Sequence, residues 1–218
     1  MPLAIDSLAI RAPGGAPLFA PLTIQVEAGS VTTVMGPSGV GKTTLLHGIA
    51  GHLPGGFALT GHLALNGRPL NGLPAEQRRI GMMFQDAGLF PHLSVGDNLA
   101  FGLRATVRGR RARARLVDEA LSTAGLEGMG DRDPATLSGG QRARAALMQS
   151  LLAEPEAILL DEPFSRLDQA LRNGIRGFVL DHIRARSIPA LLVTHDPADA
   201  QAAGGPMIPL DPAGVVNT

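Results

Sequence analysis

Cysteine, tryptophan and tyrosine are all absent from the 218 residues, and each absence removes a class of function. Without cysteine there is no disulfide, no thiolate zinc site and no thiol nucleophile, and a reducing compartment is permitted. Phenylalanine alone makes up the 3% aromatic content, too little to build platforms for stacked bases, and the formal charge is zero. Nucleic acid is therefore not an expected partner. No run approaches the ~20 apolar residues that cross a bilayer, and no basic stretch leads into an apolar segment with a cleavage site. A soluble chain in the cytoplasm is the expectation. Lysine is nearly absent too: of the 19 basic residues only Lys42 is one. The arginines, with abundant Ala, Gly and Pro, fit codon bias in a GC-rich genome. Lys42 needs another reason, and a compact ammonium on a flexible stem enters a phosphate cradle as the rigid guanidinium fork does not.

What is present suits one large α/β domain, or a core domain with a small insertion. Leu3 to Ile10 and Leu22 to Glu27 alternate as strands, joined by a Gly/Pro-rich turn over 13–17, which predicts an antiparallel opening. Val31 to Met35 is an apolar strand, followed by a glycine-rich loop and a helix over Thr43 to Ala50. The turn-rich stretch 53–73 holds a short strand at Leu63 to Leu65. Ile80 to Phe84 is a further apolar run, and Ser94 with Asp97 predicts a capping box opening a helix to Leu103. Arg104, Arg108, Arg110, Arg111, Arg113 and Arg115 crowd one segment, for which a solvated helix face or loop is preferred over a binding patch. Ala157 to Asp161 and Ala190 to Thr194 read as buried strands with a helix between them over 168–186. Strands alternating with helices predict a mostly parallel sheet.

Three motifs carry chemistry. Gly36, Pro37, Ser38, Gly39, Val40, Gly41, Lys42 and Thr43, with Thr44 beside them, match G-x-x-x-x-G-K-[ST] between a strand and a helix. In that context backbone N–H groups turn toward phosphates, Lys42 balances the β and γ charges and Thr43 can ligate Mg²⁺. The strand 157–161 ends in Asp161 and Glu162, where a parallel sheet delivers side chains to a ligand crevice. Asp161 suits Mg²⁺ and Glu162 suits an attacking water; by themselves the two acids fit the start of a turn equally well. Ser138 and Gln141 form a capping box for a helix over 142–153, and the hydroxyl and the glycines Gly139 and Gly140 at that helix start also make an anion site.

Taken in order, Gly36 to Thr43, Leu137 to Gln141 and Ile158 to Asp161 resemble the Walker A, signature and Walker B motifs, and the whole chain resembles an ABC ATPase. The resemblance implies an α/β P-loop NTPase fold with a mostly parallel core sheet, an N-terminal antiparallel β subdomain and a helical signature subdomain. It implies one domain over 1–218, with the helical subdomain inserted at about 86–155 and no C-terminal regulatory domain, since the chain stops soon after Pro209 and Leu210. It makes Gln85 the Q-loop glutamine sensing Mg²⁺ and the γ-phosphate, and Ser165 to Asp168 the D-loop. His195 becomes the switch histidine that holds the γ-phosphate and the water beside Glu162. Magnesium ligands would be Thr43, Gln85 and Asp161. A head-to-tail homodimer is implied, in which ATP on Lys42 is closed over by Ser138, Gly139, Gly140, Gln141 and Asp168 of another copy.

The stretch 81–103, with Phe84-Gln85-Asp86 and Leu89-Phe90-Pro91-His92-Leu93-Ser94, resembles importer-type ATPases for iron, polyamines, sulfate and thiamine. Asp133 to Leu137 and Asp161 to Asp168 bring the chain nearest to the YnjD-like group. Import implies a transmembrane permease docked on the Gln85 to Leu103 region, a solute-binding protein, and a place at the cytoplasmic face of the inner membrane. Mechanical signalling or lipid extraction for a membrane partner is the alternative. Two departures stand out. No aromatic lies near Ala12 and Pro13, where the family stacks adenine, so GTP is an alternative to ATP; and Arg166 replaces the usual D-loop alanine.

Overall fold

The computed structural model describes residues 2–86 and 88–213, with the backbone alone of Ala170. Met1, Ala87 and residues 214–218, which fall within the expected domain and, for Ala87, the expected permease-docking stretch, lie outside the described residues. The described chain forms two compact units, the first of residues 2–82, 156–162 and 182–213 and the second of 83–155 and 163–181.

Two sheets build the first unit. The antiparallel sheet has the order β2-β1-β4-β5, from β1 (Leu3–Arg11), β2 (Leu22–Val26), β4 (Ala58–Leu65) and β5 (Arg68–Pro69). Leu3 and Ile5, then Leu8 and Ile10, with Leu63 and Leu65, point into the core; the period of two holds on each side of an irregularity at Ser7, φ 50, where the register of β1 shifts by one residue. β4 is longer than the three residues expected. Its first half has little apolar alternation of its own, and pairing with β1, with Ala58 opposite Arg11 and Thr60 opposite Ala9, makes it a strand. The five-stranded sheet has the order β6-β7-β8-β3-β9, from β3 (Val31–Met35), β6 (Ile80–Met83), β7 (Ala157–Asp161), β8 (Ala190–Thr194) and β9 (Met207–Pro209). The pairs β7–β8, β8–β3 and β3–β9 are parallel. β7 and β8 are buried at every residue, which explains their unbroken apolar sequences.

Helix α1 (Lys42–Ala50) joins the two sheets. Its Leu45, Leu46 and Ile49 lie in one cluster with Ile5 and Ile10 on one side and Leu159, Leu191 and Val193 on the other. Each such fully buried side chain contributes about 1.5–3 kcal/mol relative to exposure. Helix α7 (Pro197–Ala203) and β9 are among the elements of this unit not expected from the sequence. The helix begins at Asp196, whose carboxylate accepts from the Ala198 N–H, and β9 carries Pro209 as only an edge strand tolerates.

The second unit is helical. α3 (Val95–Gly102), α4 (Arg110–Thr123) and α5 (Gly139–Leu152) pack together over Val95, Leu99, Leu121, Leu147 and Leu151, with a 3₁₀ turn at Pro134–Thr136 ahead of α5. Helix α6 (Gln169–Ala185) starts in this unit. The arginine-rich segment divides. Arg108, Arg110, Arg111 and Arg115 are exposed and Arg104 meets Glu154 at 2.6 Å, while Arg113 turns back to donate to the Ala100 carbonyl at 2.6 Å. At the start of α3 the Ser94 hydroxyl accepts from the Asp97 N–H and donates its own proton to the Asp97 carboxylate.

Asn98, fully buried on α3, organises the loop ahead of it. Its Oδ1 accepts from the Phe90 N–H at 2.7 Å, and its Nδ2 donates to the carbonyls of Phe90, Leu93 and Ser94. Removing the amide takes the acceptor from the Phe90 N–H and a donor from three part-buried carbonyls, and leaves a void at a buried position. Asn98→Ala should cost about 2–4 kcal/mol in denaturant unfolding, with faster amide exchange at residues 90–94 as its local signature.

Candidate functional site

The first unit brings three chain segments to one edge of the parallel sheet. Met35 pairs with Thr194 and Asp161 pairs with Val193, so β3, β7 and β8 end side by side. Each strand then leads into a different group: β3 into the glycine-rich loop after Met35, β7 into Glu162, and β8 into His195. Crevices at the carboxyl ends of parallel strands are where this architecture receives ligands.

The loop 36–41 wraps Lys42. Pro37, Ser38 and Gly39 are exposed, and Gly41 caps α1 with φ 105, a left-handed value that a side chain would strain. Gly36 passes so close to the Leu210 carbonyl that a Cβ would sit 2.7 Å from it. Lys42 is 7% exposed, and its Nζ donates to the carbonyls of Gly36 at 2.9 Å and Pro37 at 3.0 Å. The ammonium is thus held at the centre of the loop by neutral oxygens, which an anionic phosphate would displace. Thr43 and Thr44 follow in the first turn, where α1 has free N–H groups and no acidic residue.

Asp161, 5% exposed, hydrogen-bonds the Thr43 hydroxyl. Burial holds its pKa above the ordinary carboxylate value and the neighbouring Glu162 adds to this, against the pull of Thr43, His47 and Lys42. A buried carboxylate bonded to a hydroxyl is a pair of hard oxygen donors of the kind Mg²⁺ accepts. Among the described residues no three His, Asp or Glu side chains gather to cage a metal.

Glu162 and His195 are in contact, with Nδ1 of the ring 3.0 Å from Oε1 of the carboxylate. The sequence placed both residues without indicating that they touch. Nor did it indicate the backbone of Glu162, whose φ of 44 is rare for a non-glycine residue and costs about 1–3 kcal/mol. Its N–H donates to the Val193 carbonyl at 2.9 Å, extending the β7–β8 ladder by one residue and fixing the turn.

The other candidate residues belong to the second unit. Gln85 is exposed in a bend after β6. Ser138 and Gln141 form the full capping box of α5, at 3.2 Å and 2.9 Å, with the Ser138 side chain exposed, Gly139 partly buried and Gly140 buried. Asp168 accepts from the Leu171 N–H at 3.0 Å and so caps α6. Arg166 pairs with Asp86, the neighbour of Gln85.

Residues 19–165 match the family model of the ABC transporter, about two thirds of the chain. The chain belongs to the ABC transporter ATP-binding family. It is 49% identical over 200 residues to YnjD of Escherichia coli K12, described as an uncharacterized ABC transporter ATP-binding protein, covering 92% of this chain and 91% of that one. It is 43% identical to the thiamine import ATP-binding protein ThiQ of Vibrio vulnificus YJ016, over 85% of this chain and 77% of that one. It is also 40% identical to the Fe(3+) ions import ATP-binding protein FbpC 1 of Rhizobium meliloti, covering 83% of this chain but only 50% of that longer relative. The fold matches cbiO1 of Clostridium perfringens, part of the ABC transporter complex cbiONQ, with a TM-score of 0.83 at 26% identity over 96% of this chain and 84% of that one. As in other members, the α/β P-loop fold serves an ATPase.

Among the described residues of this ABC ATPase up to the end of β2, Phe19 is the one aromatic. Phe19 is fully buried, bridged to Pro212, and the turn at 12–16 is closed by the backbone bonds of Ala12 and by the Arg11 guanidinium, which donates to the Gly15 carbonyl at 2.9 Å.

The raised pKa of Asp161 has a signed consequence. Between the ordinary aspartate value and the raised folded value the native state binds more protons than the unfolded chain, so stability falls as pH rises through that window. Asp161→Asn should therefore melt higher than the parent at neutral pH without nucleotide. That gain should vanish as pH falls to the ordinary aspartate range, and a thermal melt series across pH checks it.

Proposed function

We propose that this chain hydrolyses ATP to drive a small-solute importer. The observation that carries the reading is the contact of Glu162 with His195 on the same sheet edge as Lys42 and Asp161. That edge holds a cation for the phosphates, a carboxylate and hydroxyl for a metal, and a second carboxylate oriented by an imidazole.

In this reading the loop N–H groups and Lys42 bind the β- and γ-phosphates, and Thr44 adds a hydroxyl at the helix start. Mg²⁺ would be held by Thr43 and Asp161, with Gln85 as its third protein partner, and would neutralise charge on the phosphates when bound. Glu162 accepts a hydrogen bond from the attacking water and orients it. His195 holds Glu162 by its Nδ1 and leaves Nε2 for the γ-phosphate. Phosphoryl transfer depends on positioning and charge more than on covalent chemistry, and the stiff Glu162 turn supplies that positioning.

The same reading completes the site with a second copy of the chain. Ser138, Gly139 and Gly140 open a helix whose free N–H groups suit a phosphate, and Ser138 is exposed. With Gln141 and Asp168 they would close over the nucleotide of the other copy in a head-to-tail homodimer. Importer function is supported by the similarity to ThiQ and FbpC, named for thiamine and Fe(3+) import. A transmembrane permease would dock on the Gln85 to Leu103 stretch, where Phe101 is 66% exposed. The chain would then work at the cytoplasmic face of the inner membrane, with a solute-binding protein in the complete system; no helix among the described residues is long and apolar enough to cross a membrane.

Glu162→Gln keeps the shape of the side chain and removes its charge. It should bind ATP, form dimers and lose about 100-fold or more in turnover, measured as phosphate release in the presence of the permease. Hydrolysis at the parent rate would remove Glu162 from its role.

A further inference from the structure

Arg78 is a charged side chain, 8% exposed, that the nucleotide site leaves unused. It ends the short helix α2 (Ala75–Arg78), two residues before β6. Its Nη1 donates to the carbonyls of Gly48 at 2.9 Å and Ile49 at 2.8 Å, and its Nε donates to the Leu73 carbonyl at 2.9 Å. Gly48 and Ile49 lie in the last turn of α1, where carbonyls lack helical partners and the dipole is negative. The first turn of that helix is Lys42, Thr43 and Thr44. The guanidinium therefore grips the far end of the helix whose near end meets the phosphates.

The chain leaves α1 in a way that makes room for this grip. Gly51 is left-handed at φ 88, and a Cβ there would lie 2.8 Å from Arg78 Nε and 3.1 Å from the Ala75 backbone. The residues around Arg78 are tied to the sheets as well. Arg68 donates to the carbonyls of Gln77 at 2.8 Å and Arg78 at 3.2 Å. Arg79 pairs with Glu156, just ahead of β7, while the Glu156 N–H donates to the Arg79 carbonyl at 2.8 Å. After Arg78 the chain turns at Arg79, left-handed at φ 58, and enters β6, which leads toward Gln85. A cap needed only for helix stability could come from any segment; this one comes from the residue two positions before the strand that leads to the glutamine.

We infer that Arg78 is a positioning residue that couples the C-terminal end of the phosphate-binding helix to β6, so that adjustment of α1 to bound nucleotide is carried into the segment leading to Gln85. The inference rests on ATP binding at Lys42, and the test separates the two. Planar and charged, arginine bridges the α1 carbonyls and the Leu73 carbonyl at once; lysine keeps the charge and not the fork.

Amide hydrogen exchange of the full chain carrying Glu162→Gln is measured with and without ATP and Mg²⁺, in the parent and with Arg78→Met or Arg78→Lys added. Nucleotide should slow exchange at 36–50 in all three proteins. At 79–83 it should slow exchange about fivefold or more in the parent, by less with Arg78→Lys, and least with Arg78→Met. If Arg78→Met fails to fold, the comparison with Arg78→Lys decides in the same way. An unchanged response at 79–83 in the folded variants, with only a lowered melting temperature, would reduce Arg78 to a structural cap and overturn the inference. No response at 36–50 in the parent would overturn the ATP-site reading beneath it.

Discussion

The parallel pairing of β7 with β8 and of β8 with β3 decides where the chemistry of the first unit can happen. With Asp161 opposite Val193 and Thr194 opposite Met35, the three strands release their chains together, and the phosphate loop, Glu162 and His195 have only a few residues in which to diverge. A slip of one residue in the β7–β8 ladder would turn the buried side chains of β7 to the other face and move Asp161 away from Thr43. Every residue of β7 and β8 is buried, so such a slip is opposed by the whole core of the unit. The placement of the site is therefore set first by the sheet, and the Glu162 turn is tied to that sheet through the Val193 carbonyl.

That placement comes with polar burial. Lys42 and Asp161 both lie inside the protein, the ammonium satisfied by two loop carbonyls and the carboxylate by one hydroxyl. Burial of a charge is costly without such partners. Glu162 adds backbone strain. A nucleotide with its metal would relieve several of these costs together by giving Lys42 anionic partners and Asp161 a cation. Binding and stabilisation are then expected to be linked, and α1, held by both sheets and by Arg78 at its far end, is the element through which that linkage spreads.

The chemistry was more legible in the sequence than the boundaries. Asp161 and Thr194 end their strands where unbroken apolar runs stop at polar residues, and the G-x-x-x-x-G-K-[ST] spacing located α1 to within one residue. Ser138 and Gln141 announced α5 because a capping box is a local interaction written in neighbouring residues. What was hidden depends on residues distant in sequence. The first half of β4 is a strand because β1 pairs with it, and β9 because an open edge of β3 receives it. The Glu162–His195 contact spans the β7–β8 pair, and the three bonds of Arg78 reach backbone carbonyls that leave no trace in side-chain pattern. Arginine enrichment throughout the chain masked Arg78 further, since in this composition one more arginine carries no signal.

Each nucleotide site, on this account, takes its phosphate loop from one copy of the chain and its signature serine from another. Mixing two defective proteins, Lys42→Ala and Ser138→Phe, tests that central point most directly. Each alone should neither trap labelled ATP nor release phosphate. In a mixed dimer one site would combine the intact Lys42 of one copy with the intact Ser138 of the other, so nucleotide trapping should return at one site per mixed dimer. A mixture as silent as its components, with mixed dimers shown to form, would mean that each copy builds its site alone and would contradict the account.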